Sequence, residues 1–427
     1  MNFIYRLVLT SFITMLVLLP CANGQESITL GDERSDVYIP LLKGKRVGLF
    51  SNQSGIVGDR SEGLLSSAGC GIDDKSALIP FGTTLHGRKP SYGPHIVDCL
   101  LNEGIDVRAI FSPEHGFRGI ADAGENVSSG IDEKTGIPIY SLYGKRSWQL
   151  SEKIALIDVL VIDIQDVGLR YYTYYISMLS LMEECAKMGK DVVLLDRPNP
   201  NGFYIGGPVL SMDFKSGVGS LPIATAHGLT LGELAYMANE EGWLEGGVKC
   251  NLYIVKCLGY THSTKYRLLM SPSPNLKDMK AIYLYASTCY FEGTNISLGR
   301  GTAFPFEVYG APQMSGDYEF TPRSVQGAKN PPYKDKLCYG TSLREMPLED
   351  IFQKGVHYDF IIDAYNRYSD KDHFFIGGGR FFDLLSGTDR IRKMIEAGES
   401  SETISHSWEK ELQDYADLRN KYLLYPL

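Results

Sequence analysis

Four uninterrupted apolar runs constrain this chain more than any other feature of its sequence. They lie at residues 47–50, 109–111, 159–164 and 192–195, the third being broken only by Asp163. Apolar runs without the alternation of a half-exposed strand are typical of strands buried on both faces of a parallel sheet. A polar cluster and then a helical pattern follow the runs. The sequence therefore predicts an α/β fold with a Rossmann-like parallel sheet.

The residue spacing also predicts two of the connecting helices. One amphipathic helix is expected from about residue 175 to residue 189, and another begins at Thr230, where Glu233 completes a capping box. In such folds, ligands bind beyond the carboxyl ends of the strands. Because all four apolar runs end in hydrogen-bonding or charged residues, we expect the functional site at that edge of the sheet.

The residue pattern of the sequence changes at about residue 247. The segments at 249–257 and 281–293 look strand-like, and Gly246 and Gly247 precede them. We therefore predict a Rossmann-like catalytic domain over residues 25–246 and a smaller α/β (α+β) C-terminal auxiliary domain over residues 247–427. Binding sites often lie between two such domains.

Residues 1–24 have the pattern of a signal peptide. Arg6 precedes an apolar run at 7–19, which is too short to span a bilayer, and small residues at 22–24 suit signal peptidase cleavage. We expect export to the periplasm. The alternative is a lipoprotein anchored through Cys21. No later stretch is apolar enough over a sufficient length to be transmembrane.

Composition and missing motifs exclude several classes of function. A net charge of −9 with no basic run argues against nucleic acid as a partner. The chain has no GxSxG elbow, no HExxH pair and no phosphate-loop or dinucleotide fingerprint. We therefore expect neither a metal nor a cofactor. The 27 tyrosines and 18 phenylalanines suit carbohydrate rings, although core packing explains most of them equally well.

Glu114 is the leading catalytic candidate. It follows the second apolar run, between Pro113, which ends a strand, and Gly116, which permits a turn. Next to a buried strand end, desolvation would raise the pKa of a carboxyl group and keep a proton available for general acid catalysis. The alternative is a carboxylate that caps the following turn. His115 could orient Glu114 or simply bond to the backbone.

The third strand ends in a second polar cluster. Asp163 lies within the run and needs a partner if it is buried, with Arg170 and Arg197 as candidates. Asp166 lies nearer the strand end and is the better functional candidate. Arg170, beside several tyrosines, could bind an anion, or it could belong to an ordinary helix start.

Two further clusters could hold a ligand. Asn199 lies in a rigid loop between two prolines. Farther along the chain, Glu292, Asn295 and Arg300 occur among glycines that would let a ligand approach the backbone.

Seven motifs together resemble one protein family, the NamZ-like exo-β-N-acetylmuramidases of glycoside hydrolase family 171. They are SNQSG (51–55), FSPEHGFRG (111–119), DIQDVGLRYYTY (163–174), DRPNP (196–200), HGLTLGEL (227–234), SPNL (273–276) and EGTNISLGRGT (292–302). The resemblance implies a Rossmann-like domain with an auxiliary C-terminal domain, a site in the cleft between them, and release of N-acetylmuramic acid from the non-reducing ends of peptidoglycan fragments. This sequence departs from the family in its long segment at 70–95.

The resemblance also assigns roles to individual residues. Glu114 is the expected catalytic acid. The side chains expected to line the substrate pocket are Asn52, His115, Arg118, Gln165, Arg170, Tyr172, Arg197, Asn199, His227, Asn275, Glu292, Asn295 and Arg300. Among these, Arg170, Arg197 or Arg300 would bind the lactyl carboxylate, and Asn199 or Asn295 the acetamido group.

The sequence leaves the identity of the second catalytic group open. A retaining enzyme needs a carboxylate nucleophile, an inverting enzyme needs a base, and a substrate-assisted enzyme uses the sugar's acetamide. Asp166 and Asp163 are the first candidates, followed by Glu125 and Glu292. The alternative from another class is a periplasmic binding protein for sugars or muropeptides, without catalysis.

Overall fold

The computed structural model describes residues 28–58, 72–83, 92–114, 116–117, 130–142 and 150–427. The predicted signal peptide and Cys21 lie outside these residues. Within the described ranges, no helix combines the length and the apolarity that crossing a bilayer requires.

A seven-stranded sheet forms the centre of the molecule. The strands among the described residues are β1 (Arg46–Ser51), β2 (Asp106–Ser112), β3 (Gly130–Ile131), β4 (Pro138–Ser141), β5 (Val159–Asp163), β6 (Asp191–Leu195), β7 (Gly206–Val209), β8 (Ala224–Ala226), β9 (Asn251–Val255), β10 (Val308–Ala311), β11 (Tyr318–Phe320) and β12 (Cys338–Ser342). The central sheet has the order β3-β4-β2-β1-β5-β6-β9. Only β3 runs antiparallel to its neighbour.

This sheet confirms the predicted α/β, Rossmann-like class. The four apolar runs form β1, β2, β5 and β6, and they pair in parallel with one another. Residues 159–163 of β5 are all buried, as expected of a strand covered on both faces. The chain passes from β1 to β2 on one side and later to β5 on the other, so the topological switch point lies between β1 and β5.

Thirteen α-helices cover the sheet and build the C-terminal half. They are α1 (Ser35–Leu42), α2 (Asp74–Ala77), α3 (Ile96–Asn102), α4 (Leu150–Ile154), α5 (Tyr174–Lys187), α6 (Leu231–Glu240), α7 (Met279–Thr288), α8 (Leu348–Lys354), α9 (Asp359–Arg367), α10 (Arg380–Ser386), α11 (Arg390–Glu396), α12 (Ser401–His406) and α13 (Glu409–Arg419), counted among the described residues. Both predicted helices are confirmed, as α5 and α6. Thr230 is the N-cap of α6 and forms the expected capping box with Glu233.

Two segments beyond residue 246 differ from the prediction. The strand-like segment at 249–257 was assigned to the second domain, but its strand β9 pairs with β6 and completes the first sheet. The segment at 281–293 is not a strand. It forms α7 and a 3-10 turn, Cys289–Gly293. Every residue of α7 is buried, so this helix lacks the one-sided apolar periodicity that would have identified it.

One hydrophobic core joins the two halves of the chain. It extends from Phe50 in β1 to Tyr425 near the C-terminus and includes the whole apolar part of α7. The Tyr171 hydroxyl donates to the carbonyls of Tyr285 and Ala286 in α7, at 3.0 and 2.8 Å. A small antiparallel sheet, β10-β12-β11, lies in the C-terminal half. Helix α7 therefore connects the two parts and fixes the space between them.

Candidate active site

Glu114 lies at an open end of the central sheet. Strand β2 ends at Ser112, Pro113 follows, and the Glu114 side chain is half-buried beside a cavity of about 270 Å³. The Thr173 hydroxyl donates to Glu114 Oε2 at 3.0 Å. Because Thr173 is the N-cap residue of α5, the start of this helix fixes one oxygen of the carboxyl group. We call this cavity the inner chamber.

Six aromatic side chains line the inner chamber. Its aromatic residues are Tyr171, Tyr172, Tyr174, Tyr285, Phe306 and Phe381. The first three come from the segment after β5, and the others come from the C-terminal half. The chamber therefore lies between the two halves, as the resemblance implied. Aromatic faces with a few polar groups are typical of sites that bind small, partly apolar molecules such as sugars.

A second acid faces the same chamber. Glu292 comes from the 3-10 turn after α7, and its Oε1 accepts from Arg300 Nη2 at 2.6 Å. The side chains of Glu292 and Arg300 keep 26% and 17% of their surface exposed, so both charges reach the cavity. The Arg300 guanidinium also lies over the ring of Phe306, 5.0 Å from its centroid. This contact orients Arg300 along the chamber wall.

A larger cavity of about 720 Å³, the outer chamber, adjoins the inner one. Glu292, Arg300 and Phe381 line both cavities. The rest of the outer wall comes from residues 294–298 and 327–333, together with Ile376. The two chambers are thus parts of one cleft, divided by the Glu292–Arg300 ion pair.

The structure brings five of the predicted residues to this cleft. Glu114, Tyr172, Glu292 and Arg300 line the inner chamber, and Asn295 lines the outer one.

Asn275 acts on the cleft indirectly. Its amide donates at 2.7 Å to the carbonyl of Gly327, which lines the outer chamber. Asn275 therefore supports that wall of the cleft.

Other candidates have partners inside the protein. Arg197 donates from Nε and Nη2 to Asp163, at 2.7 and 3.1 Å, and from Nη2 to Asp32 at 2.7 Å. All three side chains are buried. Burial alone lowers the pKa of Arg197, but the two carboxyl groups outweigh it and raise this pKa. Burial also raises the pKa of Asp32. This cluster fills the switch point.

Arg170 is also buried, and it holds backbone rather than a ligand. Its guanidinium donates to the carbonyls of Pro208, Ile223 and Leu385, at 2.7, 2.9 and 3.1 Å. Leu385 belongs to α10, so Arg170 ties the C-terminal half to the segment that follows β5. This role explains a buried arginine without a substrate anion.

Three predicted amide side chains likewise bond within the fold. Gln165 donates to the carbonyls of Asp166 and Pro198, at 2.8 and 2.9 Å. Asn199 donates to the carbonyl of Leu229 at 2.8 Å. The side-chain oxygen of Asn52 accepts from the amide and hydroxyl groups of Ser54, at 2.9 and 2.6 Å.

Asp166 and His227 form a buried pair. The Asp166 Oδ1 accepts from the amide of Gly168 at 2.7 Å, and it lies 4.0 Å from His227 Nε2. Burial raises the pKa of Asp166 to about 7 and lowers the pKa of His227 to about 3. Both side chains are nearly inaccessible to solvent. Asp166 is therefore a protonatable group of the interior, behind the tyrosines that line the chamber.

His115, Arg118 and Glu125 lie outside the described residues.

Sequence interpretation missed several residues of the cleft. Thr173 stands in the DIQDVGLRYYTY motif but was not singled out, and its role depends on the helix start that places it beside Glu114. Phe306 and Tyr333 have φ angles of +68° and +55°, a conformation that bulky side chains rarely adopt. A backbone conformation of this kind leaves no signal in a single sequence.

Sequence comparison relates most of this chain to one protein family. Sequence profiles described as "Exo-beta-N-acetylmuramidase NamZ", N-terminal and C-terminal, match residues 84–280 and 283–425. The chain belongs to the NamZ exo-β-N-acetylmuramidase family. A relative in Bacillus subtilis (strain 168), the peptidoglycan beta-N-acetylmuramidase NamZ, is 37% identical over 406 residues, which cover 91% of this chain and 89% of the relative.

Two solved structures of DUF1343 family proteins from Bacteroides fragilis NCTC 9343 share the fold. One is 46% identical with a TM-score of 0.79, and the match covers 94% of this chain and 99% of that chain. The other is 27% identical with a TM-score of 0.68, covering 93% and 99%.

The buried cluster around Arg197 predicts a stability effect. Arg197→Met leaves Asp163 and Asp32 buried without a cation, so we expect the free energy of unfolding to fall by about 3–5 kcal/mol. Urea denaturation measures this change. Arg46→Met is the matched control, because its ion pair with Asp158 is exposed and its loss should change the stability little. Unchanged stability together with a raised KM would instead make Arg197 a substrate ligand.

The raised pKa of the buried Asp166 should make the stability of the protein depend on pH. Its pKa is raised from 3.8 to about 7 in the folded protein, so the folded state binds the extra proton between these values. The contribution of this group to stability is therefore present at low pH and is lost as the pH rises toward 7. Relative to wild type, Asp166→Asn should gain roughly 4 kcal/mol between pH 4 and pH 8. A stability difference that does not change with pH would contradict the buried, protonatable carboxyl group.

Proposed function

We propose that this chain hydrolyses the β-glycosidic bond of a terminal N-acetylmuramic acid residue in peptidoglycan fragments, with Glu114 as the general acid. One observation carries the proposal: in a NamZ family member, Glu114 faces an aromatic chamber that also holds a second carboxylate, Glu292. Most glycoside hydrolases use two carboxyl groups that flank the scissile glycosidic bond. The activity named for the Bacillus relative supports the same substrate class.

Glu114 is suited to protonating the leaving oxygen. The Thr173 hydroxyl holds one of its carboxyl oxygens, which restricts the rotation of the side chain. A general acid must be held within hydrogen-bond distance of the oxygen that it protonates, and such catalysis contributes roughly 10²–10⁴-fold to the rate. The half-buried position of Glu114 gives it access both to the substrate and to solvent for reprotonation.

Glu292 is the second catalytic group that the geometry favours. Asp163 is engaged with Arg197 in the interior, and Asp166 lies buried beside His227, whereas Glu292 is partly exposed in the chamber. As a carboxylate it could attack the sugar, activate water or orient the acetamido group. Its hydrogen bond from Arg300 holds one of its carboxyl oxygens in place.

Arg300 is the best-placed cation for the lactyl carboxylate of N-acetylmuramic acid. One of its nitrogens bonds to Glu292, and a guanidinium group carries five N–H donors in a planar fork. Binding a second carboxylate would use donors on the other edge of that fork. This would distinguish muramic acid from N-acetylglucosamine, which has no lactyl group.

The size of the inner chamber is consistent with exo action. A volume of about 270 Å³ is near the lower end for small-molecule pockets, which suits a single terminal sugar residue. Export to the periplasm, with residues 1–24 as a signal peptide or Cys21 as a lipid anchor, is part of the same proposal because peptidoglycan lies outside the cytoplasm.

The proposal predicts a leaving-group dependence. Glu114→Gln should lower kcat/KM by about 10²–10⁴-fold for the disaccharide of N-acetylmuramic acid linked to N-acetylglucosamine, because a sugar leaves poorly without a proton. The loss should be much smaller for a nitrophenyl β-N-acetylmuramide, whose leaving group is stable as an anion. Sugar release, assayed for both substrates with purified variants, measures the two effects.

Glu319→Gln is the matched control, because this glutamate is exposed on β11 and lies outside both chambers. It should behave as wild type with both substrates. An equal loss on both substrates for Glu114→Gln would exclude the acid role. Ligand binding without hydrolysis by wild type would favour a sugar-binding protein.

A further inference from the structure

The outer chamber is larger than release of one terminal sugar requires. Its volume is about 720 Å³, against about 270 Å³ for the inner chamber. It opens from the inner chamber at Glu292, Arg300 and Phe381. The outer chamber is therefore the adjoining space for a leaving group attached to a sugar in the inner chamber.

The wall of the outer chamber has the chemistry of a saccharide site. Phe381 and Ile376 keep 36% and 44% of their surface exposed and offer apolar faces. Asn330 supplies an amide group nearby, and Tyr333 adds an aromatic ring. The amide nitrogen of Asn295, also in this wall, already donates to the carbonyl of His373 at 2.6 Å. Aromatic faces combined with amide hydrogen-bonding groups match a pyranose ring, which has an apolar face and polar edges.

Tyr333 is held in an unfavourable backbone conformation at this wall. Its φ is +55°, and only Phe306 and Asp335 share a positive φ among the non-glycine residues that the structure describes. Of these three, Phe306 lines the inner chamber and Tyr333 lines the outer chamber. Strained residues persist where the surrounding structure fixes them, and they cluster at functional sites.

The contacts of Tyr333 fix its ring in place. Its hydroxyl donates to the carbonyl of Asn295 at 2.8 Å, and its own carbonyl accepts from the amide of Lys336 at 2.9 Å. The ring packs against the small cluster formed by Val308, Phe320 and Cys338. Tyr333 therefore presents a rigid aromatic surface while remaining half-buried.

We propose that the outer chamber binds the saccharide leaving group, with Tyr333 as its stacking platform, and that it accommodates more than one sugar residue. This inference rests on the proposed function. It makes Tyr333 a specificity-determining residue for fragment length. The chain consequently hydrolyses longer fragments with a higher kcat/KM than the disaccharide.

The test compares three substrates that differ only in the leaving group. They are a nitrophenyl β-N-acetylmuramide, the muramyl disaccharide, and the tetrasaccharide of two such units. Tyr333→Gly removes the ring and suits a positive φ, so the backbone keeps its conformation. We expect kcat/KM of this variant to fall about tenfold for the tetrasaccharide and to change less than about twofold for the nitrophenyl substrate.

Two variants serve as controls. Tyr333→Phe keeps the ring and loses only the hydrogen bond to Asn295, so it should retain most activity on all three substrates. Tyr253→Ala removes an exposed tyrosine from the edge strand β9, outside both chambers, and should behave as wild type. Equal losses on all substrates for Tyr333→Gly, or no loss on any, would overturn the proposal. So would a wild-type enzyme that does not prefer the tetrasaccharide.

A binding measurement separates this proposal from the proposed function. The probe is the disaccharide of N-acetylglucosamine linked to N-acetylmuramic acid, the order of sugars in the leaving group, titrated by calorimetry into wild type and Tyr333→Gly. Binding that weakens about tenfold in the variant supports the platform even if no substrate is hydrolysed. Equal binding to both proteins, or binding to neither, would overturn it while leaving hydrolysis by Glu114 intact.

Discussion

The buried cluster of Arg197, Asp163 and Asp32 determines where this fold can hold a ligand. In Rossmann-like sheets, the crevice at the switch point is the usual site. Here Asp163 ends β5 beside Ser51 of β1, and Arg197 closes the gap with three short hydrogen bonds. The charged side chains of this cluster occupy the switch point between β1 and β5. The accessible end of the sheet therefore lies at β2, the other neighbour of β1, and Glu114 follows that strand.

The largest core cluster then gives the cleft its shape, because it joins both halves of the chain. Helix α7 is buried on every side and contacts the segment after β5 through the Tyr171 hydroxyl. The turn that follows α7 carries Glu292, and Arg170 ties α10 to the same region. The two carboxyl groups of the inner chamber thus come from separate halves of the chain that share one packed interior. Such packing holds them in a fixed relation, as catalysis requires.

Much of the fold followed from the sequence, but less of the site did. Continuous apolar runs identified β1, β2, β5 and β6, and capping chemistry identified the start of α6. The fully buried α7 was mistaken for a strand, because periodicity cannot separate a buried helix from a buried strand. At the site, Glu114 and Glu292 were named from the sequence. Whether Arg170 and Arg197 met substrate or buried partners depended on contacts between distant segments.

A crystal structure of Glu114→Gln with the intact muramyl disaccharide would test the central claim most directly. The account predicts the N-acetylmuramic acid ring in the inner chamber, its lactyl carboxylate on Arg300 and its glycosidic oxygen within hydrogen-bond distance of residue 114. The N-acetylglucosamine ring should lie in the outer chamber against Tyr333. A disaccharide bound with its muramic acid in the outer chamber, or away from residue 114, would contradict the account.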